Sequence, residues 1–171
     1  MKIRKIKTED YQAVKDLVIT AFSKSEHGYG GEAELVEKIR NLDSYDHNLE
    51  LVAEKYDHII GHVLLSEIKI QGINQYGFSL APISVLPKNQ NQKIGSQLMK
   101  KIEEQAKNTD KKFISILGNP DYYKKFGYKE AKKYNIKAPF EVPEKYYLIK
   151  SINDFNLNNF SGMIEYSSAF D

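Results

Sequence analysis

The chain has 171 residues, of which 41% are hydrophobic and 28% are charged, a balance typical of a folded domain rather than of a disordered segment. The length fits one domain, residues 1–171, with a core of its own. There is no cysteine, which excludes disulfides, thiolate metal sites and a cysteine nucleophile. The 25 basic residues comprise 23 lysines and only two arginines. Because arginine forks usually read guanine edges and phosphates, this composition argues against nucleic acid as the main partner.

The first seven residues alternate basic side chains with isoleucine and lead into no apolar run, which is the pattern of neither a signal peptide nor an anchor. No stretch approaches the roughly 20 apolar residues that span a bilayer. We therefore expect a cytoplasmic protein with no membrane partner and, as oligomeric state, a monomer or a homodimer.

Hydrophobic periodicity in the first half of the chain predicts helices and strands in succession. The predicted segments are a strand at 3–7, a helix from Thr8 as N-cap to about Phe22, a helix at 32–40, and strands at 49–54 and 59–70. The last two strands are separated only by the polar turn Tyr56-Asp57-His58, which predicts an antiparallel hairpin.

The second half continues with a strand at 78–85, in which Pro82 indicates an edge, a bulge or a splayed end. The segments that follow are a polar loop at 87–93, a helix at 94–106, a strand at 112–117, a short helix at 120–125, a strand beginning at Tyr128, and a final strand at 146–150. The whole order predicts a mixed α/β sheet, antiparallel in its first half.

The segment 80–105 carries the chemical signal, because a strand leads through a polar loop into an amphipathic helix. Free amides and the positive dipole end at a helix N-terminus bind anions, and Gly95 lets the backbone approach a ligand closely. Neither a P-loop nor a Gly-x-Gly-x-x-Gly fingerprint is present, which disfavours triphosphatases and dinucleotide enzymes. An ordinary capped connection remains the alternative to a phosphate site.

Two motifs resemble the GNAT superfamily of acetyl-CoA-dependent N-acetyltransferases. Residues 90–95, Gln-Asn-Gln-Lys-Ile-Gly, resemble its pyrophosphate loop, Gln/Arg-x-x-Gly-x-Gly/Ala, except that Lys93 replaces the middle glycine. Either Lys93 points outward and adds a positive charge, or cofactor binding is weakened. Residues 117–128 resemble the second cofactor segment, which ends in Tyr-x-x-x-Gly-Phe/Tyr, and resemble in particular one bacterial branch of predicted N-acetyltransferases.

The resemblance implies a GNAT-like α/β (α+β) fold with a mixed, mostly antiparallel central sheet flanked by helices. Strands would splay at a cofactor cleft, with the cofactor-binding core at about 78–130. It also implies acetyl-CoA as co-substrate. The four histidines are scattered and no carboxylates cluster at ligand spacing, so the sequence predicts no metal site. The implied cofactor-binding residues are Ile83, Ser84, Val85, Gln90, Asn91, Gln92, Lys93, Ile94, Gly95, Ser96, Asn119 and Tyr123.

By the same resemblance, Tyr123 stands where the family has the general acid that protonates the departing thiolate, while Tyr122 is a packing residue. The plain alternative is that Tyr123 packs on a helix face. The general base has no clear motif, and we take Glu32 as the first candidate. Other candidates are Glu26, His27 and Glu67, whereas His62 is expected to be a satisfied strand residue.

The function that follows is transfer of acetyl from acetyl-CoA to a primary amine of a small molecule or peptide by direct attack. The alternative is a non-catalytic acyl-CoA-binding regulatory module of the same fold. Residues 93–133 hold eleven lysines against five acidic residues, a surplus that favours the phosphates of the cofactor. The loop at 27–31 is either a gate over the acceptor cleft or a flexible connection.

Overall fold

The computed structural model describes residues 1–171, which form two compact units. The first unit comprises Met1–Ser66 and Ala81–Asn108, and the second comprises Glu67–Leu80 and Thr109–Asp171. Antiparallel pairings outnumber parallel ones among the strands. The predicted mixed α/β fold with a mostly antiparallel sheet is thereby confirmed.

Four helices and nine strands make up the regular structure. The helices are α1 (Tyr11–Ser23), α2 (Glu32–Arg40), α3 (Ile94–Ala106) and α4 (Pro120–Tyr123). The strands are β1 (Lys2–Lys5), β2 (Glu50–Lys55), β3 (His58–Ile70), β4 (Gln75–Val85), β5 (Phe113–Leu117), β6 (Lys129–Glu130), β7 (Ile136–Lys137), β8 (Tyr147–Ser151) and β9 (Gly162–Glu165). None of the helices combines the length and the apolar composition that crossing a membrane requires.

In the first unit, β1 pairs antiparallel with β2, and β2 pairs antiparallel with β3, as the hairpin pattern predicts. Val52 of β2 packs with α1 and α2, in a cluster that includes Val14 and Ala33. The neighbouring Ala53 points to the other face, because successive strand residues alternate. There it meets α3, which approaches so closely that a β-carbon at Gly61 would lie 2.9 Å from Leu98. Helices therefore cover both faces of this part of the sheet.

In the second unit, β5 pairs parallel with β4 and antiparallel with β8, and β6 continues on the far side of β8. The last residues of β3 pair with β9, which in turn pairs with β7. A core of buried apolar side chains fills this unit, including Phe113, Ile136, Ile149 and Ile164.

The helix predictions at 32–40 and 94–106 are confirmed, whereas three local predictions are wrong. Thr8 is not an N-cap: Thr8–Asp10 form a 3-10 turn, because the Asp10 carboxylate accepts the amide of Lys7 at 2.8 Å. The strand from Tyr128 shrinks to the two residues of β6. The predicted final strand is β8, and β9 follows it. Ile164 is the only buried residue of β9. The strand therefore lacks the repeated alternation of buried and exposed side chains from which a strand is predicted.

Candidate functional site

The polar loop of the first unit joins β4 to α3 through a 3-10 turn at Pro87–Asn89 and the segment 90–93. Gln90 Nε2 donates a hydrogen bond to the Val85 carbonyl oxygen at 3.3 Å. Residues 90–93 are exposed. The bond from Gln90 ties the loop to the end of the strand, a contact that the motif alone does not reveal.

Lys93 occupies the N-cap position of α3 with φ 64°, in the left-handed region. That conformation explains why the related motif has glycine here, since a β-carbon is disfavoured at positive φ. Asn91, two residues earlier, is also left-handed, with φ 63°. The chain therefore adopts a glycine-like loop without glycine, and the side chain of Lys93 is exposed to solvent.

The N-terminus of α3 has no side-chain cap. The amides of Ile94, Gly95 and Ser96 lie in the first helical turn, where backbone N–H groups have no partner within the helix. These amides, the positive end of the helix dipole and the Lys93 charge together favour an anion. The residues present thus fit a phosphate group.

The end of β4 carries the remaining predicted residues of the first unit. Ser84 is buried, and its Oγ has no hydrogen-bond partner, while Ile83 and Val85 are half-buried. The ladder between β4 and β5 consists of Phe78 with Ile114 and Ser79 with Ser115. Pro82 follows these pairs along β4, beyond the last residue of the ladder, which agrees with the prediction that this proline, having no amide to donate, marks a splayed end.

In the second unit, Asn119 and Tyr123 lie at the two ends of α4. Asn119 is the N-cap, and its side-chain oxygen accepts the amide of Asp121 at 2.9 Å. The ring of Tyr123 lies against the backbone of Gly118, where a β-carbon would stand 2.5 Å from its Cε2. Gly118 is therefore a positioning residue for Tyr123 that the motif contained but whose role the sequence did not show.

Tyr123 is in a largely apolar environment. Tyr122 packs against it edge-on, with ring centroids 5.0 Å apart, and Tyr128 does so at 6.0 Å. Burial raises the pKa of the Tyr123 hydroxyl to about 12, with a further contribution from Tyr122. The phenol therefore stays protonated at neutral pH and has a proton to give.

The base candidates are divided between the units. In the first unit, Glu32 opens α2, and its carboxylate accepts the amide of Gly30 at 2.8 Å. The adjacent Tyr29 hydroxyl donates to the Glu34 carboxylate and accepts the amide of Ala33, which ties the loop at 27–31 to α2. Glu26 and His27 are exposed in the same loop region. Glu67, in the second unit, forms an ion pair with Lys111 at 3.2 Å.

A buried polar network around Glu50 was not anticipated from the sequence. Arg40 donates to both carboxylate oxygens of Glu50, with Nη2 at 2.5 Å from Oε1, and Tyr45 donates to Oε2 at 2.6 Å. His62 Nε2 lies 2.8 Å from Oε1. Glu50 and His62 are completely buried. Arg40 also stacks on the Tyr11 ring, 3.8 Å from its centroid.

This network holds Glu50 ionised. Burial by itself raises the pKa of the Glu50 carboxyl, but hydrogen bonds from His62 and Arg40 outweigh burial and lower the pKa to about 2. His62 is satisfied only at Nε2, because its buried Nδ1 has no partner. Charged residues usually indicate surface in a sequence, so no pattern marked this cluster.

Comparison with known proteins defines the class to which this fold and these motifs belong. The profile of the family described as "Acetyltransferase (GNAT) domain" matches residues 2–131, about three quarters of the chain. The chain therefore belongs to the GNAT acetyltransferase family.

Individual relatives agree with that assignment. The uncharacterized N-acetyltransferase YhbS of Escherichia coli K12 is 27% identical over 141 residues, covering 82% of this chain and 83% of YhbS. A crystal structure of E. coli YhbS in complex with CoA superposes with a TM-score of 0.85 at 24% identity, covering 99% and 91% of the two chains. A GNAT acetyltransferase from Brucella melitensis in complex with acetyl-CoA has a TM-score of 0.80 at 26% identity, covering 99% and 97%.

Proposed function

We propose that this protein transfers acetyl from acetyl-CoA to a primary amine of a small molecule or peptide, with residues 1–171 acting as one N-acetyltransferase domain. The observation that carries the proposal is the uncapped N-terminus of α3, preceded by the left-handed residue Lys93 in the position of the family loop. Membership of the GNAT family and the CoA or acetyl-CoA held by two related structures support the choice of cofactor.

Each predicted cofactor residue has a chemical task in this proposal. The loop at 90–93 and the amides of residues 94–96 bind the pyrophosphate, with Lys93 adding a positive charge. Residues 83–85, at the end of β4, offer backbone groups to the pantetheine arm in the manner of an added strand. Asn119 contributes a polar group beside that arm in addition to capping α4.

The reaction then needs one proton removed from the acceptor amine and one proton donated to the leaving sulfur. Acetyl-CoA supplies a thioester whose carbonyl carbon the neutral acceptor amine attacks, so a C–N bond forms and the C–S bond breaks. Tyr123 gives its hydroxyl proton to the leaving sulfur. Burial that raises the pKa of this phenol also makes a thiolate more basic, because desolvation disfavours both anions. Glu32 is the proposed acceptor of the amine proton.

The first test measures cofactor binding and turnover separately. Acetyl-CoA in the millimolar range should raise the melting temperature of the full chain, since a ligand that binds the folded state stabilises it. A panel of amines should then release thiol from acetyl-CoA. Absence of stabilisation by acetyl-CoA would overturn the proposal. Stabilisation without thiol release from any amine would instead favour the non-catalytic acyl-CoA-binding module, for which the replacement of glycine by Lys93 is the motivating observation.

The second test compares two neighbouring tyrosines. Tyr123→Phe should lower kcat by about 10²–10⁴-fold, the usual effect of removing a general acid, with little change in acetyl-CoA affinity. Tyr122→Phe removes a hydroxyl from the same helical turn and should leave kcat within a small factor of the wild type. Equal effects of the two substitutions would remove the reason for assigning Tyr123 as the acid.

A further inference from the structure

The second unit contains an open cavity of about 530 Å³ between β7, β8 and the segment that joins them. Its apolar wall is formed by Ile136, Val142 and Tyr147. The volume lies within the range of small-molecule sites, which combine an apolar lining with a few charged groups that fix orientation. None of the proposed cofactor residues lines this cavity.

Four charged side chains line the cavity, of which two form an ion pair with each other and two do not. Lys132 and Glu144 form an ion pair at 3.0 Å and so neutralise each other. Lys137 and Glu141 also line the cavity, are exposed, and form no ion pair within the protein. One free cation and one free anion therefore face an apolar hollow, an arrangement complementary to a ligand that carries both charges and an apolar group.

The cavity is linked to Tyr123 through the strand ladder of the second unit. Tyr147 pairs with Leu117 across β8 and β5, and the amide of Gly118 donates to the Tyr146 carbonyl oxygen at 2.9 Å. Gly118 in turn supports the ring of Tyr123. The wall of the cavity and the proposed general acid thus depend on the same end of the ladder.

We propose that this cavity binds a zwitterionic amino acid with an apolar side chain. Lys137 faces the carboxylate, Glu141 faces the ammonium group, and the apolar wall receives the side chain. This site goes beyond the proposed function: an ammonium group paired with Glu141 is not the neutral amine that attacks acetyl-CoA, so the amino acid is assigned here as a bound ligand and not as the acetyl acceptor. Binding itself can be measured whether or not transfer occurs.

Three probes of one shape separate the charges: L-phenylalanine carries both, phenethylamine only the ammonium, and 3-phenylpropanoate only the carboxylate. Isothermal titration of the full chain should show the tightest binding for L-phenylalanine, by up to about fivefold for each charge, the upper limit for exposed pairs. Lys137→Gln should weaken L-phenylalanine and 3-phenylpropanoate but not phenethylamine. Glu141→Gln should weaken L-phenylalanine and phenethylamine but not 3-phenylpropanoate.

Lys133→Gln is the matched control, because Lys133 is exposed nearby but does not line the cavity. It should leave all three affinities unchanged. Equal binding of the three probes overturns the proposal. So does the absence of detectable binding at a probe concentration of about 10 mM, which would fill even a weak site. Either result holds even if the protein acetylates other amines. The expected charge dependence supports the site whether or not any amine releases thiol from acetyl-CoA, so failure of this site and failure of the proposed transfer are distinguishable.

Discussion

The two units bury polar groups in opposite chemical forms. In the first unit, the ionised Glu50 is completely enclosed and is held by Arg40, Tyr45 and His62. In the second, Tyr147 and Tyr166 share a hydrogen bond of 2.7 Å between neutral hydroxyl groups. A buried ion must keep its partners, whereas a neutral pair can be replaced as a pair. The units should therefore respond differently to the loss of a single partner.

The largest effect is expected for Glu50→Ala. Removing the carboxylate leaves the Arg40 charge and the His62 ring buried without their partner, so the free energy of unfolding should fall by about 3–5 kcal/mol. Urea unfolding of the two proteins measures this loss. Glu37→Ala is the matched control in the same unit, because its ion pair with Lys15 is exposed and contributes at most about 1 kcal/mol. A loss no larger than that of the control would contradict the account of a paired buried charge.

Lowering the pH should remove the stabilising contribution of Glu50 without a substitution. The pKa of Glu50 is lowered from 4.5 to about 2, so its ionised form stabilises the fold above pH 4.5, and this contribution disappears as the pH falls towards 2. The shift corresponds to about 3 kcal/mol. Unfolding measured against pH should show that Glu50→Gln flattens this acid limb. If the variant and the wild type lose stability in parallel between pH 4.5 and 2, Glu50 is not its source.

At alkaline pH the buried phenols dominate. Burial raises the pKa of both Tyr147 and Tyr166, so the unfolded chain ionises first and stability falls as the pH rises above about 10. Tyr45 of the first unit contributes in the same direction, because burial and Glu50 raise its pKa as well. Replacing Tyr147 and Tyr166 together by phenylalanine should therefore reduce the alkaline loss without abolishing it, and should leave the acid limb unchanged.

The neutral pair gives the next effect in size. Tyr166→Phe alone leaves the Tyr147 hydroxyl buried without its partner, which should cost about 1–3 kcal/mol. Adding Tyr147→Phe should restore part of that loss, since neither hydroxyl of the pair is then left without the other. A double-mutant cycle in urea measures the coupling. Strictly additive losses would show that the two hydroxyls do not depend on each other.

The same contrast explains how far the sequence was informative. The bounds of α2 and α3 could be predicted because apolar side chains recur at helical spacing, and the β2–β3 hairpin because a short polar turn separates two apolar runs. β9 could not, since its only buried residue is Ile164 and its partners are distant in the chain. A strand held by long-range pairing leaves too little local pattern to detect.

For the candidate site, the motifs predicted the positions of the residues but not their conformations. Sequence showed that Lys93 departs from the family loop, and only the backbone shows that it adopts the left-handed form that glycine favours. Gly118 could be read as part of a motif but not as the support of the Tyr123 ring. The Glu50 network could not be predicted, because the sequence does not distinguish a buried glutamate from an exposed one.

Left-handed residues extend the comparison to the backbone and give the smallest expected effect. Lys93 in the first unit and Asn135 in the second have nearly equal φ angles, 64° and 56°. Asparagine tolerates this region because its short polar side chain can hydrogen-bond locally, whereas lysine does not. The Lys93→Gly variant should therefore have a free energy of unfolding about 1 kcal/mol higher than that of the Lys93→Ala variant. Both variants lose the charge, but only alanine keeps the β-carbon that positive φ disfavours. Asn135→Gly should change stability by less.

These variants also separate the charge of Lys93 from its conformation in cofactor binding. If its ammonium attracts the phosphates of acetyl-CoA, the alanine and glycine variants should lose affinity equally, by up to about fivefold, and more at low salt than at high salt. If the lysine instead obstructs the loop, both variants should bind more tightly than the wild type. Titration calorimetry at two salt concentrations decides between these outcomes. Tighter binding would mean that the departure from glycine weakens the site, as an acyl-CoA-binding module without catalysis would permit.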